Sequence, residues 1–162
     1  MHRRQLVTLL AAALAAPLGA CLDSDSDVTA PEAVPIESAN FASGLGVNIA
    51  GSTKTSTGLY YRDIRVGTGA AVAAGQTVAV RYTGWLSSGQ QFDSNVGSGS
   101  PFEFVLGRGS VIPGFDQGFA GMRVGGQRQL IIPPNLGYGP SGTQGIPGNA
   151  ILVFNVEVVS VR

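Results

Sequence analysis

Twenty of the 24 glycines in this chain fall between Gly58 and Arg162, about one position in five. Glycine gives up more backbone freedom on folding than any other residue and stops helices before they grow long. The glycines follow no triplet period, so a collagen-like rod is excluded. The apolar residues between them alternate instead: in Gln76–Trp85, Val78, Val80 and Tyr82 oppose Ala79, Arg81 and Thr83, and Leu59–Val66 behaves likewise. Alternation over that length predicts half-buried strands. Phe102–Leu106, Gln127–Ile132 and Ala150–Val161 are further strand segments, the last with Leu152, Phe154, Val156 and Val158 on one face. Pro113–Met122 differs, because Phe115, Phe119 and Met122 fall at helical spacing and form one stripe. Pro113 suits the first turn of such a helix, while Gly114, Gly118 and Gly121 leave tertiary packing to hold it. The pattern predicts an α+β domain over residues 58–162: an antiparallel sheet with one short helix across its apolar face.

The reactive inventory is small. His2 is the sole histidine and Cys21 the sole cysteine. Cys/His zinc sites, Ser-His-Asp triads, Cys-His pairs and intrachain disulfides cannot be assembled from it. No metal and no cofactor is expected. Gly67-Thr68-Gly69 and Gly107-Arg108-Gly109 lack the third glycine of a dinucleotide fingerprint and are turns. Ten basic residues balance ten acidic ones, and no basic block offers nucleic acid a footprint.

The first twenty residues have a different logic. Arg3 and Arg4 precede the uncharged run Leu6–Leu18, which is too short for the roughly 20 apolar residues of a membrane span. A basic start, a short apolar core and small residues after it mark residues 1–20 as a secretory signal. Leu18-Gly19-Ala20-Cys21 resembles the lipobox of bacterial lipoproteins. That resemblance implies cleavage before Cys21, lipidation of its thiol, and attachment to a membrane surface without crossing it. Leu22 stands where inner-membrane retention favours Asp, so the outer membrane, facing the periplasm, is the expected location. Residues 21–57 are rich in Asp, Ser, Ala and Pro, with Asp23, Asp25, Asp27, Glu32 and Glu37 against Lys54 alone. This composition predicts an acidic, extended linker, in which the mildly apolar stretch from Phe41 to Ile49 has the character to dock on the domain.

Five stretches of the domain carry a family resemblance: VAVRYTGWL at 78–86, QFDS at 91–94, PFEFVLGRGSVIPGFDQGFAGM at 101–122, GGQRQLIIPPNLGYG at 125–139 and ILVFNVEVV at 151–159. In this order and spacing they resemble the FKBP-type peptidyl-prolyl cis-trans isomerases, in the form of a bacterial envelope lipoprotein. The resemblance implies a twisted antiparallel sheet of about five strands wrapped around the helix. It also implies prolyl-bond isomerisation in unfolded or exported polypeptides, and binding of macrolide inhibitors.

By matching position, the resemblance implies a pocket walled by Tyr82, Phe92, Phe102, Val111, Ile112, Phe115, Tyr138, Ile146 and Phe154, with Asp93 at its rim. Asp93, Tyr138, Tyr82 and Phe154 would be the catalytic set: Tyr138 donating to a substrate carbonyl and Asp93 bonded to Tyr82. Two departures stand out. Phe115 occupies the pocket floor, where the family most often has tryptophan, and the loop from Tyr138 to Ala150 is one residue shorter than in the best-known members. Phe104, Phe119, Leu130, Leu152 and Val156 belong to the core on this reading, and Trp85 packs on its neighbours at a strand end. An alternative remains open from sequence: a lipid-tethered chaperone or assembly module of the same fold, with negligible turnover.

Overall fold

The computed structural model describes residues 32–162, so the expected signal, the lipobox-like stretch and Cys21 lie outside the described residues. Strands β1 (Thr53–Lys54), β2 (Tyr60–Arg65), β3 (Thr77–Leu86), β4 (Gln91–Ser94) and β5 (Phe102–Val105) precede helix α1 (Pro113–Gly118). Strands β6 (Gln127–Ile132) and β7 (Leu152–Val161) follow it. All seven form one antiparallel sheet, in the order β1-β2-β6-β7-β3-β4, with β5 also paired to β3. The α+β architecture is the one expected. The two strands beyond the expected five are the short β1 and β4, which carry too few residues for alternation to register.

The alternation works as the pleat requires. Val78 and Val80 of β3, Leu130 and Ile132 of β6, and Leu152, Phe154, Val156 and Val158 of β7 share one core with Phe115, Phe119 and Met122. The helix is shorter than the stripe predicted: it ends at Gly118, and Gly121 at φ +73° turns the chain away before Met122. Its glycines have a packing purpose. A Cβ on Gly114 would stand 2.4 Å from Ile132 Cγ2, and one on Gly118 2.4 Å from Leu130 Cδ1. The helix therefore lies closer to β6 than any alanine would allow. Arg128, buried on β6, closes its far end by donating from Nη1 to the carbonyls of Gly118 (2.9 Å) and Ala120 (3.3 Å). Asp63 neutralises that guanidinium through a 2.6 Å bond from Nε, and the Tyr61 ring covers it at 4.4 Å. A buried cation held this way satisfies carbonyls that the helix leaves unpaired.

The linker expectation needs correction from Ile36 onward. Residues Ile36, Leu45, Tyr60, Ile131, Ile151 and Val153 are buried together in a second cluster, with Phe41, Val47, Ile49 and Trp85 packed against it. Because Ile131 and Val153 alternate with Leu130 and Leu152, this cluster lies on the opposite face of the sheet. The N-terminal segment is thus a strap across that face. Gln129 Nε2 donates to Leu45 O at 2.8 Å, Arg62 Nη2 to Gly46 O at 3.0 Å, and Ala42 N to Ser87 O at 2.9 Å. Glu37 accepts from the Tyr60 hydroxyl and pairs with Lys54 Nζ at 2.5 Å. The apolar residues of the strap are too sparse to make a period, and small and polar residues separate them. Phe41–Ile49, the stretch with docking character, is part of this contact. Among the described residues, no helix is long and apolar enough to cross a membrane.

Candidate active site

A cavity of about 440 Å³ opens on the helix side of the sheet, lined by Tyr82, Phe92, Asp93, Phe102, Gly109, Ser110, Val111, Ile112, Phe115, Tyr138 and Phe154. Three long-range accidents of topology converge there. Strand β3 brings Tyr82, β7 brings Phe154, and the N-terminal turn of α1 brings Phe115 to the floor, where it is 5% exposed.

The rings meet edge to face. Phe115 lies 5.5 Å from Tyr82 and 5.2 Å from Phe154, while Phe92 meets Phe154 at 5.4 Å and Tyr82 meets Phe102 at 6.0 Å. This arrangement matches the quadrupoles of the rings and fixes each one by its neighbours. Phe102 is 39% exposed and Tyr138 38%, so the wall is dry at the floor and open at the rim.

The turn before the helix supplies the remaining side. Asp116, in the first turn of α1, accepts from the backbone N–H of Gly107 at 2.7 Å and, more weakly, of Gly109 at 3.3 Å. Its carboxylate ties the 107–112 turn, which carries Gly109, Ser110, Val111 and Ile112, to the helix that carries Phe115. Ile112 is extended (φ −57°, ψ 145°), as a residue before proline must be.

Polar groups are few. The Tyr82 hydroxyl donates to Asp93 Oδ2 at 2.6 Å, the bond expected from sequence. Burial, followed by that bond and the Asp93 charge, pushes the Tyr82 phenol far above its usual range. Burial and the same carboxylate also raise Tyr138. Both phenols therefore keep their protons at neutral pH. Tyr82 spends its proton on Asp93; the Tyr138 hydroxyl bonds no group among the described residues.

Nine of the ten residues expected at the site are thus brought to one place, and Ile146 is the exception. Ile146 is 6% exposed in the main core, and its backbone pairs with Thr143 across a tight turn (2.8 and 3.0 Å). It supports the loop without lining the cavity. Gly109 and Ser110 also line the cavity, and although they lie inside the 101–122 stretch neither has a side chain that announces a binding role. Among the described residues, no group of three or more His, Cys, Asp or Glu side chains is placed to hold a metal ion.

Residues 69–159 match the family model for FKBP-type peptidyl-prolyl cis-trans isomerase. The chain belongs to the FKBP family. Its FKBP domain is similar to FK506-binding protein 4 of Rhizopus delemar, 51% identical over 111 residues that make up 68% of this chain and 29% of that protein. FK506-binding protein 3 of Candida albicans is 47% identical over 68% of this chain and 26% of its own length. The match therefore spans under a third of either of these relatives. Among solved structures, FkpA from Escherichia coli superposes with a TM-score of 0.64 at 42% identity, covering 69% of this chain and 52% of that one. AtFKBP13 gives the same TM-score at 36% identity, covering 68% of this chain and 98% of that one.

Proposed function

We propose that this FKBP domain isomerises X–Pro peptide bonds of exported polypeptides in the cavity between β3, β7 and α1. The observation that carries the reading is the ring-walled cavity whose polar groups are two protonated phenols and one carboxylate.

That set suits a reaction in which no bond breaks. Rotation about a peptide bond faces a barrier of roughly 18–20 kcal/mol because resonance holds it planar. At X–Pro bonds the isomers are close in energy, but exchange takes tens to hundreds of seconds. The twisted amide has lost resonance, so its carbonyl depends less on water than the planar form does. A site that removes water and grips the proline ring favours the twisted form over the planar one, which is the condition for catalysis. A ten-thousand-fold acceleration corresponds to about 5–6 kcal/mol.

Phe115 and Phe154 form the buried surface against which a proline ring packs, with Phe102 closing the outer side. Tyr138 donates its uncommitted hydroxyl to a substrate carbonyl. Asp93 holds Tyr82 in place and contributes negative potential at the rim; it is not required to move a proton. The same cavity would take macrolides such as FK506, the ligand in the names of the fungal relatives.

The lipobox at Leu18–Cys21 supports a lipid anchor in the bacterial envelope, on the periplasmic side of the outer membrane. The acidic tether then spaces the domain from an anionic surface. Two experiments test these statements. Cis-to-trans exchange of a short Ala-Phe-Pro peptide should accelerate with the protein and be blocked by FK506; peptide binding without acceleration would assign the domain to a chaperone or assembly role. Metabolic labelling with a fatty-acid analogue should mark the wild type and spare Cys21→Ala, and an unlabelled wild type would remove the anchor.

A further inference from the structure

Strand β3 changes partners along one edge. β5 pairs with it as far as Val80 opposite Phe102, and β4 takes over at Thr83 opposite Ser94. Positions 81 and 82 have no strand beside them on that edge. Tyr82, the residue that bonds Asp93 and touches three rings of the cavity, stands in this gap.

Asn95 fills it. Its Oδ1 accepts from the Tyr82 backbone N–H at 2.7 Å, and its Nδ2 donates to Val80 O at 2.9 Å. Its own backbone N–H donates to Tyr82 O at 3.1 Å. A carboxamide offers the donor and acceptor of a peptide unit, so one side chain replaces the missing strand. The turn that follows is folded onto Asn95 O by Ser98, from N at 3.2 Å and from Oγ at 2.6 Å. An aliphatic residue at 95 would leave the N–H of Tyr82 and the carbonyl of Val80 half-buried without partners, at the cost such groups carry.

We propose that Asn95 is a positioning residue for the reaction: its carboxamide completes the edge of β3 between β5 and β4 and thereby fixes the Tyr82 ring and its bond to Asp93. This rests on the isomerase reading of the cavity. Asn95 does not line that cavity, and nothing in its residue type marks it from sequence.

The test is a double-mutant cycle on the full chain with Asn95→Ala, Tyr82→Phe and the pair, read by peptide exchange and by nuclear Overhauser contacts between the Tyr82 and Phe115 rings. Asn95→Ala should lower kcat/KM about ten-fold, the scale of one or two lost hydrogen bonds, with the loss mainly in kcat because the cavity still admits the peptide. The ring contacts should weaken, and the loss from Asn95→Ala should be smaller in the Tyr82→Phe background, since coupled residues are not additive. Wild-type turnover with unchanged ring contacts in Asn95→Ala, or full additivity in the cycle, would overturn the assignment. If Asn95→Ala fails to fold, Asn95→Asp enters the same cycle, retaining the acceptor for Tyr82 N–H and losing the donor to Val80. If the wild type itself shows no turnover, the isomerase reading falls, and the ring contacts decide the positioning role alone: weakened contacts support it and retained ones overturn it.

Discussion

Gly84 of β3 and Phe154 of β7 are register partners, and a Cβ on Gly84 would stand 2.6 Å from Cε1 of the Phe154 ring and 2.8 Å from Cζ of Phe92. The absent side chain is the space in which two cavity rings meet. Gly84→Ala must push Phe154 or Phe92 out of position and should destabilise the domain by about 1–3 kcal/mol, the usual range for overpacking, while also lowering kcat/KM. Gly118→Ala meets Leu130 instead, away from the cavity lining, and should cost similar stability with a smaller effect on turnover. Denaturant titration and peptide exchange on the same preparations check both.

Chemistry and folding separate at three cavity residues. Phe154 is 3% exposed, so Phe154→Ala should lose activity together with about 3–5 kcal/mol of stability. Asp93 is exposed and Tyr138 is at the rim. Asp93→Leu and Tyr138→Phe should lower kcat/KM with melting curves near wild type. Full activity in both polar variants would overturn the roles given to them.

The floor offers a test of register. Phe115 is packed by Tyr82, Phe104, Phe119 and Phe154 within 6 Å, at 5.5, 5.8, 4.9 and 5.2 Å. Phe115→Trp should tighten macrolide binding several-fold, by about 1–2 kcal/mol of added apolar contact, with little change in peptide turnover. Trp85 lies in the strap cluster on the other face of the sheet, so ligand should change the fluorescence of the variant far more than that of the wild type.

The strap carries its own pH dependence. Lys54, then Tyr60, hold the Glu37 carboxyl down to about 2 from an ordinary 4.5. A carboxyl depressed in the folded state stabilises it fully above 4.5, and the contribution is lost as pH falls through that window toward about 2. Glu37→Gln should therefore melt slightly below wild type at neutral pH, and the difference should close by about pH 2. The effect is small because solvent screens this exposed group. Paired melting curves across the window measure it.

Leu45 tests whether the strap is structural. It is buried against the sheet and accepts from Gln129 through its carbonyl. Leu45→Ala should cost about 2–3 kcal/mol, at the low end for a buried leucine beside an edge that can relax, and leave kcat/KM at wild type. An unchanged melting curve would return the segment to the status of a free tether.

The strands and the helix stripe were legible because alternation and helical spacing are local: Val78, Val80 and Tyr82 point one way whatever lies beyond them. Phe154 was legible as a core residue by the same rule. Its part in a cavity wall came only through the family resemblance, because periodicity does not reach Gly84 and Phe92, 70 and 62 positions away in the chain.

Periodicity in this chain determined the α+β class and the positions of the principal strands, the single His2 and Cys21 excluded Cys/His zinc sites and Ser-His-Asp or Cys-His catalysis, and the resemblance of five ordered stretches pointed to the family. Tertiary structure alone decided that the strap from Ile36 covers the second face of the sheet, that Ile146 supports the loop behind the cavity, and that Asn95 closes the edge beside Tyr82. The division has one physical cause. A residue's preference for strand, turn or helix is set by its own backbone and nearest neighbours, whereas a cavity wall or a side chain standing in for a strand exists only where distant segments meet, and their meeting is fixed by the packing of the whole sheet.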